Sequence, residues 1–322
     1  MKRIKTAIIG AAGYTGGELL RLLVHHPACE LVYVHSNSQK GKRVDVVHPD
    51  LLGDSDLVFT DQVNTVGIDA VFLALPHGET QSFLEAHPFG PDTVLIDLST
   101  DFRDESNGFV YGLPEVNKSK IASAKKVANP GCFATAIQLA LAPAVAKGWI
   151  KDTVHVTGIT GSTGAGKKLA ETSHFSYRTG NTSVYKLFNH QHLKEIKQTF
   201  LQLKENFEQE LLFVPYRGNF SRGIWITAYF PFSGTKDEAL QVYQEFYEDA
   251  PFTHVSAADI DLKQVVNTNK CILHTSVANG QLIIYSAIDN LLKGASGQAV
   301  QNYNIAFGLE ESTGLQLKSI AF

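Results

Sequence analysis

The sequence predicts an α/β protein in two parts: an N-terminal, doubly wound parallel sheet, then an α+β domain with a largely antiparallel sheet. Three observations carry this prediction. Short apolar strands alternate with helical stretches early in the chain, which implies a parallel sheet with helices on its faces. A glycine-rich turn, GAAGYTGGE from Gly10 to Glu18, separates the first strand from the first helix. Beyond about residue 130 the strands crowd together, and the last two flank Asn279-Gly280, a two-residue hairpin signal.

Each element follows in order. Ile4 to Ile9 is a short apolar strand, and Gly10 to Gly17 reads as the turn. Glu18 to His25 carries Leu19, Leu20, Leu22 and Leu23 on one helical face. ELVYVH (Glu30 to His35), AVFLAL (Ala70 to Leu75) and TVLIDL (Thr93 to Leu98) are further strands. Phe133 to Ala146 is an Ala- and Leu-rich helix. Strands are then expected at Thr153 to Thr160, Leu211 to Pro215, Gly223 to Phe230, Lys270 to Ala278 and Gln281 to Ala287. Lys194 to Phe207, Lys236 to Tyr247 and Gly297 to Phe307 read as helices, the last returning to the first domain. The expected domains are residues 1–131 with about 296–322, and residues 132–295.

The chain has 322 residues, enough for about two domains. Its formal net charge of -4 argues against nucleic acid or an anionic membrane as the main partner. Three cysteines, Cys29, Cys132 and Cys271, cannot all pair and fit no zinc or disulfide framework, as expected of a cytoplasmic protein. After MKRIK the apolar run is too short for a signal peptide, and no segment approaches the roughly 18 apolar residues of a membrane helix.

GAAGYTGGE has the spacing G-x-x-G-x-x-G, a relative of the dinucleotide fingerprint of Rossmann-type sheets. Its glycines let the backbone approach a pyrophosphate, and the helix start offers free N–H groups. The next strand ends in VHSNSQKGKR rather than in the acidic residue that holds an NAD ribose. Ser36, Ser38, Lys40, Lys42 and Arg43 suit a 2′-phosphate, so NADP is expected.

Cys132 follows Pro-Gly in NPGCFAT and starts an apolar helix, whose dipole favours thiolate. A thiolate that forms an acyl intermediate needs a proton-transfer partner. YKLFNHQH places His190 and His192 before a helix, with no ligand set for a metal beside them. IDLSTDFR delivers Asp101 and Arg103 to the C-terminal side of a strand, where arginine suits a phosphate or carboxylate. GSTGAGKK, from Gly161, fits the P-loop pattern except at its last position, where Lys168 replaces the magnesium-binding hydroxyl.

Together GAAGYTGGEL, LALPHGET, IDLSTDFR, YGLPE, NPGCFAT, YKLFNHQH and KGASGQAVQN resemble the N-acetyl-γ-glutamyl-phosphate reductase family, over nearly the whole chain. The resemblance implies NADPH-dependent reduction of an acyl phosphate to an aldehyde in arginine biosynthesis, with release of inorganic phosphate. Cys132 would be the nucleophile and His192 the acid/base group, with His190 as the alternative. Arg103 would bind the phosphoryl group, and Ser162 and Gly164 would line the substrate. Gly10, Ala12, Gly13, Tyr14, Thr15 and Gly16 would hold the pyrophosphate, and Ser36 the 2′-phosphate. Pro76, His77, Gln298 and Asn302 would complete the cofactor site. The family forms homo-oligomers through the sheet of the second domain, so a dimer or tetramer is expected. Aspartate-semialdehyde dehydrogenase is the rival with the same chemistry. One stretch departs from the family: FVPYRGNFSRGI, with Tyr216, Arg217 and Asn219. A cation added to the acyl pocket would favour a bulkier anionic acyl group such as succinyl over acetyl.

Overall fold

In the computed structural model, which describes residues 3–320, the apolar run that opens the chain sits inside a seven-stranded sheet. Its strands are β1 (Ile4–Ile9), β2 (Cys29–His35), β3 (Phe59–Thr60), β4 (Ala70–Leu73), β5 (Val94–Asp97), β6 (Val110–Tyr111) and β7 (Lys126–Ala128). Their order is 3-2-1-4-5-7-6 and every pairing is parallel. β4 and β5 are buried along their whole length, as a parallel sheet covered on both faces requires. The order reverses at β1, the switch point where open α/β sheets bind ligands.

Around this sheet, one unit comprises the chain up to Pro130 together with Ala295–Gln316. The late helix, Gly297–Ala306, is buried through nine of its ten residues, Gly297 to Ile305. The expected first domain ran to the end of the chain. From Leu317 onward the chain groups instead with the second unit, where Asn267 Nδ2 donates to the Lys318 carbonyl at 3.2 Å.

The first helix spans Tyr14–Leu23 and so starts earlier than its leucines suggest. Gly16 and Gly17 lie inside it rather than in the turn. They are needed there for packing. A Cβ on Gly16 would fall 2.6 Å from the Ala11 backbone, and one on Gly17 would fall 2.7 Å from the His48 ring.

The second unit is Gly131–Gly294 with that C-terminal segment. Its sheet contains β8 (Val154–Thr160), β9 (Ser183–Val184), β10 (Leu211–Arg217), β11 (Ile224–Pro231), β12 (Thr253–Ser256), β13 (Cys271–Ala278) and β14 (Gln281–Ile288). The order is 12-13-14-11-8-10-9. β12 with β13 and β8 with β10 are parallel pairs, and the other four pairings are antiparallel. Asn279 and Gly280 turn the β13–β14 hairpin with positive φ at both, as the dipeptide predicts.

One face of this sheet packs on the helix Cys132–Ala146, buried from Phe133 to Val145. Pro143 lies inside that helix and cannot donate to the Leu139 carbonyl one turn back. The Tyr247 hydroxyl donates to Leu139 at 2.6 Å, and Tyr243 donates to Ala140 at 2.7 Å. The buried Tyr247 thus satisfies the carbonyl that the proline leaves without its helical donor.

Candidate active site

In the second unit, Gly131 is the N-cap of the buried helix and Cys132 its first residue. Gly131 has no side chain with which to cap the helix, and the positive end of the helix dipole lies at the thiol. Cys132 is half-buried, whereas Cys29 and Cys271 are buried. Burial pushes the Cys29 thiol up to about 11, so it stays protonated at neutral pH.

The helix His192–Leu203 begins beside it. Glu195, in its first turn, accepts a hydrogen bond from the Gly131 amide at 3.0 Å through Oε2. Its Oε1 lies 3.9 Å from His192 Nε2. One buried carboxylate therefore joins the peptide before Cys132 to the histidine turn. His190 and His192 are both buried, their ring centroids 4.5 Å apart. His190 also meets Phe133 edge-on at 5.7 Å and Tyr185 at 5.9 Å. Burial, with a smaller contribution from the Lys186 charge, holds His190 down to about 4. It is a neutral imidazole at physiological pH. Burial also raises the Tyr185 hydroxyl, and the nearby Cys132 charge adds to the effect.

Gly294 closes the other side of the thiol. It lies in a π-helical turn, Leu292–Ser296, of the kind often found at functional sites. A Cβ on Gly294 would fall 2.9 Å from Cys132 Cβ and 3.2 Å from the Asp289 carbonyl. Asp289 is fully buried and accepts from five donors: Arg222 Nε and Nη2, and the amides of Asn267, Leu291 and Leu292. That satisfied carboxylate fixes the start of the turn.

The glycine loop is fixed in the same unit. Ser162 and Gly164 belong to a short 3-10 turn, Ser162–Ala165, rather than to the start of an α-helix. Gly161, Ser162 and Thr163 donate their amides to Gly223, Phe220 and Ser221 at 2.9, 2.8 and 3.1 Å. Gly164 and Gly166 donate within the loop. A phosphate cradle needs those amides free. Asn290 Nδ2 donates to Thr163 Oγ1 at 3.0 Å, which links the loop to the residue after Asp289.

In the first unit, Gly10 has φ +80°, and a Cβ there would fall 2.4 Å from the Ala74 carbonyl oxygen. Gly13 caps the first helix, and a Cβ there would meet nothing closer than 3.9 Å. Packing does not require that glycine, but close approach of a ligand would. The first-turn amides of Tyr14, Thr15 and Gly16 point out from the helix start. Ala12 lies in the same turn, at the end of β1. Ser36 follows β2, is buried, and lies 3.4 Å from Ser38 through their hydroxyls. Lys40 pairs with Asp61, and Arg43 pairs with Asp45 and Asp56. Among the described residues Lys42 reaches only the neutral Gln39 side chain, at 3.0 Å.

Pro76 and His77 are exposed after β4. Asp101 holds that loop by accepting from the Gly78 and Thr80 amides at 2.7 and 2.9 Å. Arg103 is buried, donating Nε to the Asn129 carbonyl and Nη2 to Leu98. Gln298 and Asn302 are fully buried, and Asn302 Nδ2 bridges the Gly112 carbonyl and Asn129 Oδ1. All three side chains are buried within the first unit. No cluster of three metal-ligating side chains occurs among the described residues.

Sequence reasoning missed Glu195 and Gly294. The carboxylate three residues after His192 was the available signal for one, and the glycine of KGASG for the other.

Residues 5–124 match the model for the semialdehyde dehydrogenase NAD binding domain, and residues 132–290 match that for the semialdehyde dehydrogenase dimerisation domain. The N-acetyl-gamma-glutamyl-phosphate reductase of Christiangramia forsetii is 52% identical over 318 residues, covering 98% of this chain and 99% of its own. That of Bacteroides thetaiotaomicron is 51% identical over 321 residues, covering 99% and 100%. Among solved structures, aspartate semialdehyde dehydrogenase II from Vibrio cholerae, complexed with ASA, aligns with a TM-score of 0.76 at 15% identity. It covers 96% of this chain and 99% of that one. Aspartate semialdehyde dehydrogenase with NADP from Candida albicans aligns at 0.71 and 15% identity, covering 94% and 98%. At such identities these structures establish a shared fold.

Proposed function

This chain belongs to the N-acetyl-γ-glutamyl-phosphate reductase family, and from that membership we propose that it reduces N-acetyl-γ-glutamyl phosphate to N-acetylglutamate 5-semialdehyde with NADPH, releasing phosphate. The observation that carries the reading is Cys132, half-buried at the start of a buried helix and clipped to the histidine turn by Glu195.

In this reading Cys132 attacks the acyl phosphate, phosphate leaves, and a thioester remains on the sulfur. When bound, NADPH would supply the hydride needed to reduce this thioester. His192 moves the proton, while His190, held neutral by burial, packs behind it. Gly294 keeps the thiol's flank clear of side chains. The residues of the first unit fit the cofactor. The amides of Tyr14 to Gly16 and the bare Gly13 suit a pyrophosphate, with Gly10 and Ala12 shaping the turn. Ser36 suits a 2′-phosphate, as does Lys42, whose partner among the described residues is the neutral Gln39 side chain.

The outward face of the second sheet carries Tyr229 stacked on His155 at 5.1 Å and Trp225 beside Tyr285 at 5.9 Å. With the match to a dimerisation domain, these aromatics support a homodimer, or a tetramer built from it, joined through that face. No helix among the described residues is long and apolar enough to cross a membrane. We place the enzyme in the cytoplasm, where its three free thiols stay reduced.

The test is the reverse reaction. The protein should reduce NADP⁺ with N-acetylglutamate semialdehyde only when inorganic phosphate is present. Aspartate semialdehyde turned over faster would redirect the assignment.

A further inference from the structure

We propose that Arg217 is a specificity-determining residue that pairs with a carboxylate of the acyl-amino-acid substrate. The inference rests on the reductase reading of the Cys132 site and names a group that recognises its substrate.

Three arginines of the second unit differ in what they hold. Arg222 is committed to Asp289, with both contacts near 3 Å. Arg178 is buried and donates to the carbonyls of Thr172, Asn181 and Arg217 and to the Ser183 hydroxyl. Arg217 has one hydrogen bond from its side chain, Nη1 to the neutral Thr172 hydroxyl at 3.1 Å. Its Nε is shielded from solvent and has no acceptor. No carboxylate lies within ion-pair reach of it among the described residues. A half-buried guanidinium with spare donors and no anion is a costly arrangement, and a planar fork of this kind matches a carboxylate.

Its position is fixed, one aromatic ring away from His190. Arg217 is the last residue of β10 and pairs in the sheet with Thr160, which leads into the glycine loop. Arg178 holds its main-chain carbonyl at 2.7 Å. The guanidinium lies over the Tyr185 ring, 4.9 Å from its centroid. That ring meets His190 at 5.9 Å, and its hydroxyl responds to both the Cys132 and the Arg217 charge. Arg217 thus lies over the same ring that meets His190, whose own ring packs on His192.

An N-acyl-glutamyl substrate offers its α-carboxylate. A dicarboxylic acyl group such as succinyl offers a second. Both present the same chemistry, and kinetics separates them. The experiment compares wild type, Arg217→Leu and Arg217→Lys in the oxidative direction, with NADP⁺, phosphate, and either N-acetyl- or N-succinyl-glutamate semialdehyde. The leucine variant should raise KM by about tenfold or more while kcat stays within about threefold. A rise for both aldehydes assigns the α-carboxylate, and a rise for the succinyl compound alone assigns the acyl carboxylate. The lysine variant keeps the charge without the fork and should fall between. It gives the same readout if the leucine variant folds poorly. Unchanged KM values for both aldehydes would overturn the inference and leave the reductase reading standing. Wild type inactive on both would overturn the reductase reading, and this inference with it.

Discussion

The Glu195 carboxylate accepts the Gly131 amide at 3.0 Å and holds the helix that begins at His192 against the one that begins at Cys132. A hydrogen bond to a buried charged acceptor contributes about 1.5–3 kcal/mol. Glu195→Leu should lower Tm by several degrees and kcat by about tenfold or more. Glu195→Gln keeps an acceptor oxygen and should recover most of the Tm. A leucine variant with wild-type Tm and kcat would show that the bridge holds nothing.

Gly294 sets how Cys132 sits. Gly294→Ala would place a methyl 2.9 Å from Cys132 Cβ, with the Asp289 carbonyl behind it. Overpacking of this kind costs about 1–3 kcal/mol and displaces the thiol. The rate of Cys132 alkylation by iodoacetamide should fall by about tenfold, in step with turnover. Alkylation at the wild-type rate would mean that the methyl is absorbed elsewhere.

His190 makes the fold sensitive to acid. Its folded value, about 4, lies below the 6.5 of the unfolded group. Below 6.5 the unfolded chain therefore takes up a proton that the folded chain refuses. This contribution lowers stability progressively as pH falls from 6.5 towards about 4, by on the order of 3 kcal/mol in full, and it is absent above 6.5. His190→Gln removes it, so the variant should lose less Tm than wild type between about pH 7 and about pH 5. Parallel Tm–pH curves would contradict the assignment.

Several of these relationships could be read from the sequence, and the reasons differ by element. β1 and the hairpin at Asn279-Gly280 follow from apolar runs and turn chemistry, which are local. β3, β6 and β9 are two residues each, too short for any alternation to register. The parallel pairing of β8 with β10 depends on the path of the chain between them, which periodicity does not encode. Cys132 was legible because Pro-Gly and an apolar helix surround it. The donation of Arg103 to the Asn129 and Leu98 carbonyls is a matter of tertiary approach, which IDLSTDFR does not encode. Glu195 looked like an ordinary first-turn acid complementing a helix dipole, and only the fold brings Gly131 to it. GSTGAGKK matched a phosphate loop in letters, but its amides are already committed to Phe220, Ser221 and Gly223.

The central claim is that Cys132 carries the acyl group. The most direct measurement is intact-protein mass after mixing the enzyme with NADP⁺ and N-acetylglutamate semialdehyde without phosphate. An N-acetylglutamyl adduct should form on wild type, map to the Cys132 peptide, and discharge when phosphate is added. Cys132→Ser should form no adduct and reduce no NADP⁺. Phosphate-dependent NADP⁺ reduction retained in that variant, or an adduct on another residue, would contradict the account.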